Sequence, residues 1–254
     1  MRLILVTIGS LIFSLIIFWT IKFWGRSQSY VTYPHPLFAY AEQSKKPIFF
    51  IKPSPVVVDR ALDGAENLYL DVATTGDQKV VIAKKAWDKK GKPIRYQNYE
   101  DIKADVILLS EVKTKLVNRK LILNLSENAQ AGHMIFFDEL KALGMEKGEN
   151  MIVTSPYEAM IKALKEVAPT FLYGTTQPEI LKIAAMKSMW LIEAVNLRAD
   201  IVIYPLMIKN EKFYDETLLT ELARRHKNFI VGPIDDVQIA EAVALKPWGI
   251  IVDK

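Results

Sequence analysis

Acids, bases, nucleophiles and metal ligands are scarce in this sequence, and their spacing narrows what it could do. Its 254 residues include no Cys and three His, at His35, His133 and His226. The lack of Cys excludes a disulfide scaffold and any thiolate-held zinc or iron–sulfur centre. The most chemically loaded position is Asp71, in the apolar run 67–72 (NLYLDV). Lys52 closes an earlier run, 48–52 (IFFIK), and Lys84 follows a short one at 80–83. A carboxylate with two lysines in reach settles into a salt bridge with Lys52 or Lys84; alternatively, the two ammonium groups beside Asp71 hold an anion such as a phosphate. Ser126, Ser155, Tyr173, Tyr204 and Asp253 also stand at or just beyond the ends of apolar runs, and strand ends are where sheets flanked by helices gather their working groups. His35 lies between prolines and His226 follows Arg224-Arg225 in a polar stretch. His133, soon after the third run, is therefore the one imidazole placed to approach such a site.

The elements that must position these residues are legible as an alternation. Eight short apolar, β-branched runs occur at 48–52, 67–72, 121–125, 151–154, 170–173, 201–204, 229–232 and 249–252. Near-continuous apolar character marks strands of a parallel sheet buried on both faces. A ninth run at 80–83 is expected to pair locally after the second strand. Between them lie stretches with helical spacing at 156–168, 178–197, 214–227 and 235–245. Pro156 is expected in the first turn of its helix, and Asp235 is a good N-cap for the last. Eight strands with crossover helices predict an α/β fold, a (β/α)8 TIM barrel over residues 47–254. The alternative, an open doubly wound sheet, would carry a Gly-rich phosphate loop after the first strand, but Lys52-Pro53-Ser54-Pro55 stands there.

Ahead of the barrel, Leu3 to Phe23 is apolar apart from Lys22 near its end, with Trp19, Phe23 and Trp24 clustered there. About 20 apolar residues span a bilayer core, and such aromatic rings favour the headgroup layer. A cleaved signal peptide is the rival, but its apolar region is shorter and ends in small residues, unlike Trp24 and Arg26. Residues 1–26 are therefore expected to be an uncleaved membrane anchor and 27–46 a linker. Arg2, Lys22 and Arg26 also account for most of the net charge of +4. Removing these three leaves 30 basic against 29 acidic residues, so the body offers no footprint for nucleic acid.

The stretch 59–85 (DRALDGAENLYLDVATTGDQKVVIAKK) resembles a segment of the glycerophosphodiester phosphodiesterases, A-x-x-x-G-A-x-x-I-E-L-D-V-x-x-T-x-D-G-x-x-V-V-x-H-D. The matches are Ala61, Gly64, Ala65, Leu70, Asp71, Val72, Thr75, Asp77, Val80 and Val81. Weaker matches follow in order at 109–112, 121–128, 154–169 and 242–254, covering most of the barrel. The resemblance implies the same TIM barrel. It also implies two catalytic histidines, one after each of the first two strands. A divalent cation such as Ca or Mg would be held by the Glu and Asp of E-L-D and by a Glu from the third strand.

Here those positions carry other residues. The first His motif falls on Lys52-Pro53-Ser54, the His-Asp pair on Ala83-Lys84, the E-L-D Glu on Tyr69 and the third-strand Glu on Ser126; Asp71 alone remains. Acid–base catalysis contributes about 10²–10⁴-fold per group, so the family reaction is expected to be lost and no cofactor bound. What remains is a membrane-anchored pseudoenzyme whose mouth (Lys52, Asp71, Lys84, Ser126, Ser155, Tyr204) binds a phosphorylated headgroup or a protein partner. The barrel is expected on the extracytoplasmic side of the plasma (inner) membrane. The alternative is a hydrolase with a rearranged site built on Asp71, Lys52 and His133.

Overall fold

The computed structural model describes all residues except 1, 28–29, 32–33, 39–45, 54–63, 65–66, 84–85, 89–90, 117, 129–130 and 209–210, with backbone alone at 2–5. The apolar runs become eight parallel strands: β1 (Ile48–Lys52), β2 (Asn67–Thr74), β3 (Lys120–Leu125), β4 (Met151–Thr154), β5 (Leu172–Tyr173), β6 (Ile201–Tyr204), β7 (Asn228–Ile234) and β8 (Gly249–Asp253). They pair in the order β5-β4-β3-β2-β1-β8-β7-β6. The two ends meet where Gly174 bridges Ile201 and the N–H of Asp200 donates to the Tyr173 carbonyl at 2.8 Å. Because β5 has only two residues, a side chain extends the seam. The Ile203 N–H donates to Thr175 Oγ1 at 3.0 Å, and that hydroxyl donates to the Ile203 carbonyl at 2.9 Å. The sheet thus closes into the expected (β/α)8 barrel.

Strand alternation sorts the side chains. Phe50, Tyr69, Ile122, Ile152, Ile230 and Ile251 fill the interior, while Leu68, Leu70 and Val72 on one side and Val202, Val231 and Ile250 on the other pack outward. Each fully buried apolar side chain contributes about 2 kcal/mol, so both faces of every strand help to hold the barrel. Around it lie α2 (Gly132–Ala142), α3 (Glu158–Val167), α4 (Gln177–Ser188), α5 (Glu216–Arg224) and α6 (Ile239–Ala244). Val80–Ile82 pairs antiparallel with β2, the local partner expected for that run, and continues to Ile107–Leu108. Asp215 caps α5 by accepting from the Leu218 N–H at 2.9 Å. Asp235 and Gln238 form a capping box at the turn that leads into α6. Pro156 lies just ahead of α3, whose N-cap is Tyr157.

Two expectations need correction. The helix predicted over 178–197 ends at Ser188. The N–H groups of Trp190 and Leu191 bond back to the carbonyls of Lys187 and Met186, a left-handed helix terminator. Trp190 occupies the left-handed position (φ 58°), normally given to Gly because a side chain there costs about 1 kcal/mol. With no Gly or Pro between 179 and 197, the sequence carried no stop. A short 3₁₀ turn, Ile192–Ala194, follows. The second correction concerns 27–46. Its described part includes a turn at 36–38 that buries Leu37 and Phe38 against the barrel floor. Phe38 meets Trp248 edge-on at 5.8 Å and Trp248 stacks on Phe50 at 6.1 Å. An apolar pair set between prolines in a polar stretch is therefore built into the floor.

The first helix, α1 (Arg2–Ser27), is long and apolar enough to cross a membrane, with a mean hydropathy of 1.9 over its candidate span. Residues 6–17 are exposed, whereas its last turns rest on the floor side of the barrel. Arg26 Nη2 lies 3.0 Å and Lys22 Nζ 3.9 Å from Glu193 Oε1. Arg224 donates to the Gly25 and Arg26 carbonyls at 3.0 and 3.2 Å, closing α1 with a cation where its dipole favours one. Gly25 permits the contact, because a Cβ there would sit 2.3 Å from the Glu193 carbonyl oxygen.

Candidate functional site

The inward alternation of β1, β2 and β3 brings Lys52, Asp71 and Asn124 to the C-terminal mouth of the barrel, with Asp71 and Asn124 directly in register. Lys52 Nζ lies 3.2 Å from Asp71 Oδ2, and Asn124 Nδ2 donates to Asp71 Oδ1 at 2.6 Å. The Tyr69 hydroxyl is a third partner of the same carboxylate, and burial together with the Asp71 charge holds that phenol well above its usual pKa. Lys52 Nζ also stands 5.2 Å from the centre of the Tyr69 ring. Both oxygens of Asp71 are thus engaged, by a cation and a neutral amide, which offsets part of the cost of burying the charge. Asp253, in register with Lys52, lies at the exposed rim.

The other sequence candidates divide. Lys84 lies outside the described residues. Ser126 is at the mouth, but its Oγ donates to the Val72 carbonyl at 3.1 Å. Ser155 points away from the mouth: its Oγ donates to the Leu125 carbonyl at 2.8 Å and accepts from the Tyr157 N–H, pinning the start of α3. Tyr204 and Tyr173 also face outward. Tyr204 packs on Phe213 at 4.7 Å, and the Tyr173 hydroxyl donates to the Ala168 carbonyl at 2.8 Å. Side-chain parity explains this, because one step along a strand reverses the face. His133 lies in the first turn of α2, half-buried.

Two mouth residues were missed. Asn124 precedes Ser126 by two positions in β3, so period-two alternation places it on the same face. Glu127, one residue beyond Ser126, is buried, and its Oε1 accepts from the Arg95 N–H at 3.2 Å. Burial pushes its carboxyl above the usual range, while backbone N–H bonds from Arg95 and Thr74 pull it back. Its Oε2 and the nearby Arg95 Nε have no hydrogen-bond partner among the described residues.

The donor set does not fit the family's divalent cation. Hard cations want several oxygen ligands, usually with more than one carboxylate. Tyr69 and Ser126 stand where two acidic ligands are implied, and Asp71 is spent on Lys52 and Asn124. Among the described residues no group of three or more His, Asp or Glu could hold a metal.

No protein-family model matches the sequence, and no curated protein does. Solved structures of the same shape do exist. The glycerophosphoryl diester phosphodiesterase domain of a Mycobacterium tuberculosis protein aligns with a TM-score of 0.62 at 10% identity, covering 82% of this chain and 96% of that one. An Oleispira antarctica phosphodiesterase in complex with its product sn-glycerol-3-phosphate gives 0.61 at 11%, covering 84% and 94%. An Agrobacterium tumefaciens glycerophosphodiester phosphodiesterase gives 0.59 at 16%, covering 82% and 96%. The shared feature is the barrel fold.

Proposed function

We propose that the chain is a membrane-anchored, catalytically inactive relative of the glycerophosphodiester phosphodiesterases, whose barrel mouth holds a phosphorylated headgroup without cleaving it. The observation that carries this reading is the state of Asp71. The one carboxylate kept at the family's metal-binding positions is saturated by Lys52, Asn124 and Tyr69. Lys52 stands in as a protein-borne cation, and one monovalent charge cannot match the several kcal/mol of phosphoryl-charge stabilisation a divalent ion supplies. The motif resemblance and the shared fold support the ancestry. The apolar length of α1 supports the anchor, and on this reading the barrel lies outside the plasma membrane.

The test is an assay of the full chain in detergent with glycerophosphodiesters, with and without Ca²⁺ or Mg²⁺. No turnover is expected, with binding weakened by Lys52→Glu. Metal-dependent turnover abolished by Asp71→Asn overturns the pseudoenzyme reading, and unchanged affinity in Lys52→Glu overturns the headgroup reading. One observation favours the rival, a hydrolase with a rearranged site: Glu127 is a buried carboxyl with a raised pKa beside the mouth, as a general acid requires. Turnover lost in Glu127→Gln would establish it.

A further inference from the structure

Trp190 is a large aromatic left 74% exposed, and Met189 beside it is 57% exposed. Trp190 also sits in left-handed backbone at the end of α4, a place where a Gly or Asn would be easier for folding. Neither its burial nor its backbone explains a tryptophan there.

The position of α1 bears on what this exposed pair meets. Three residues after Trp190, Glu193 takes the contacts of Lys22 and Arg26, and its carbonyl lies against Gly25. Three residues of chain reach at most about 10 Å, so Trp190 is held within that distance of Glu193, which itself contacts the last turns of α1. Those turns carry exposed Trp19, Phe23 and Trp24, the aromatic belt that marks the headgroup level of a spanning helix. Arg224 ties the end of α5 to the same turns, so the contact fixes the barrel to the helix at two points of its floor.

We infer that the floor of the barrel docks on the bilayer that α1 crosses, with Met189 and Trp190 inserted into its headgroup layer as a second foothold. This rests on the anchor reading above and goes beyond it. An amphipathic ring in that layer enters roughly 5–10 Å, which suits a side chain at the tip of a helix terminator. The docking also sets the direction of the mouth. Lys52, Asp71 and Asn124 lie at the opposite ends of the strands from Trp190 and Glu193, separated by roughly 15 Å of strand. The mouth therefore opens away from the supporting membrane. Its ligand arrives from the aqueous side, as a headgroup freed of its acyl chains or carried on another structure.

The chain has no native Cys, so single-cysteine variants of the full chain can be spin-labelled at one site each. Ile12→Cys, Trp190→Cys and Asn128→Cys probe the spanning helix, the proposed foothold and the mouth. Each is reconstituted in vesicles of phosphatidylcholine with phosphatidylglycerol, and the label's accessibility to oxygen and to a water-soluble nickel complex is compared. Docking predicts a several-fold higher oxygen-to-nickel ratio at position 190 than at position 128, intermediate toward position 12. A water-like ratio at 190 with a hydrocarbon-like ratio at 12 overturns the docking and leaves the anchor standing. A water-like ratio at 12 overturns both. If a second copy of the chain covers Trp190 instead, the label at 190 shows spin–spin broadening that disappears on dilution with unlabelled protein, and the docking is overturned.

Discussion

The two ends of the barrel are built to opposite rules. At the mouth, polar groups satisfy one another: Lys52, Asn124 and Tyr69 converge on Asp71, and Ser126 turns onto backbone. At the floor, Phe38, Trp248 and Phe50 plug the opening. Beside them Arg225, 1% exposed, donates to Glu221 and to the carbonyls of Ile192, Glu193 and Val195. In a barrel enzyme the mouth is kept reactive and the floor serves stability. Here the polar side chains at the mouth are taken up by one another, and the floor carries the contacts that hold α1.

Substitutions can break or sharpen that contrast. The largest effect is expected at Arg225. Arg225→Leu leaves three carbonyls without their donor and Glu221 short of a partner, a loss of about 3–5 kcal/mol, read as a fall in Tm of the full chain in detergent. Phe38→Ala should follow, at about 3 kcal/mol in denaturant titration, because a ring is withdrawn from Trp248 and the floor is opened. At the mouth, Asp71→Asn should cost roughly 2 kcal/mol by removing the charge Lys52 faces. If Asp71→Asn proves the costliest of the three, the mouth and not the floor is the mechanical centre of the fold.

The smallest effect is one of pH. Burial raises the Glu127 carboxyl above its ordinary 4.5, so the folded state binds that proton more tightly than the unfolded one. Its stabilising contribution is complete below the ordinary value and is lost as pH rises through the folded pKa. Relative to Glu127→Gln, the native chain should gain stability on acidification from neutrality toward pH 4.5, measured by urea midpoints along a pH series. A difference that stays constant with pH would place this carboxyl at its ordinary pKa.

The strands were legible almost residue by residue, because a strand buried on both faces leaves an uninterrupted apolar run. The end of α4 was not. Trp190 terminates the helix by adopting a backbone conformation that its residue type does not advertise. Candidate site residues were legible as far as strand ends and no further. Of the two lysines the sequence offered Asp71, Lys52 makes the contact and Lys84 lies outside the described residues, whereas Ser155, Tyr173 and Tyr204 share the right ends but turn to the other face. Asn124 was overlooked although it obeys the same alternation as Asp71.

The sequence by itself determined the barrel, the apolar length of α1 and the scarcity of histidines, since composition and local period suffice for each. Only the tertiary structure decided that Asp71 is saturated, that Leu37 and Phe38 close the floor, and that α1 is fastened there through Glu193 and Arg224. Those facts depend on which way a side chain points and on residues from dozens to about two hundred positions apart coming into contact. Hydrophobic pattern tells a segment whether to be buried, but the partner it is buried against is fixed only when the barrel closes.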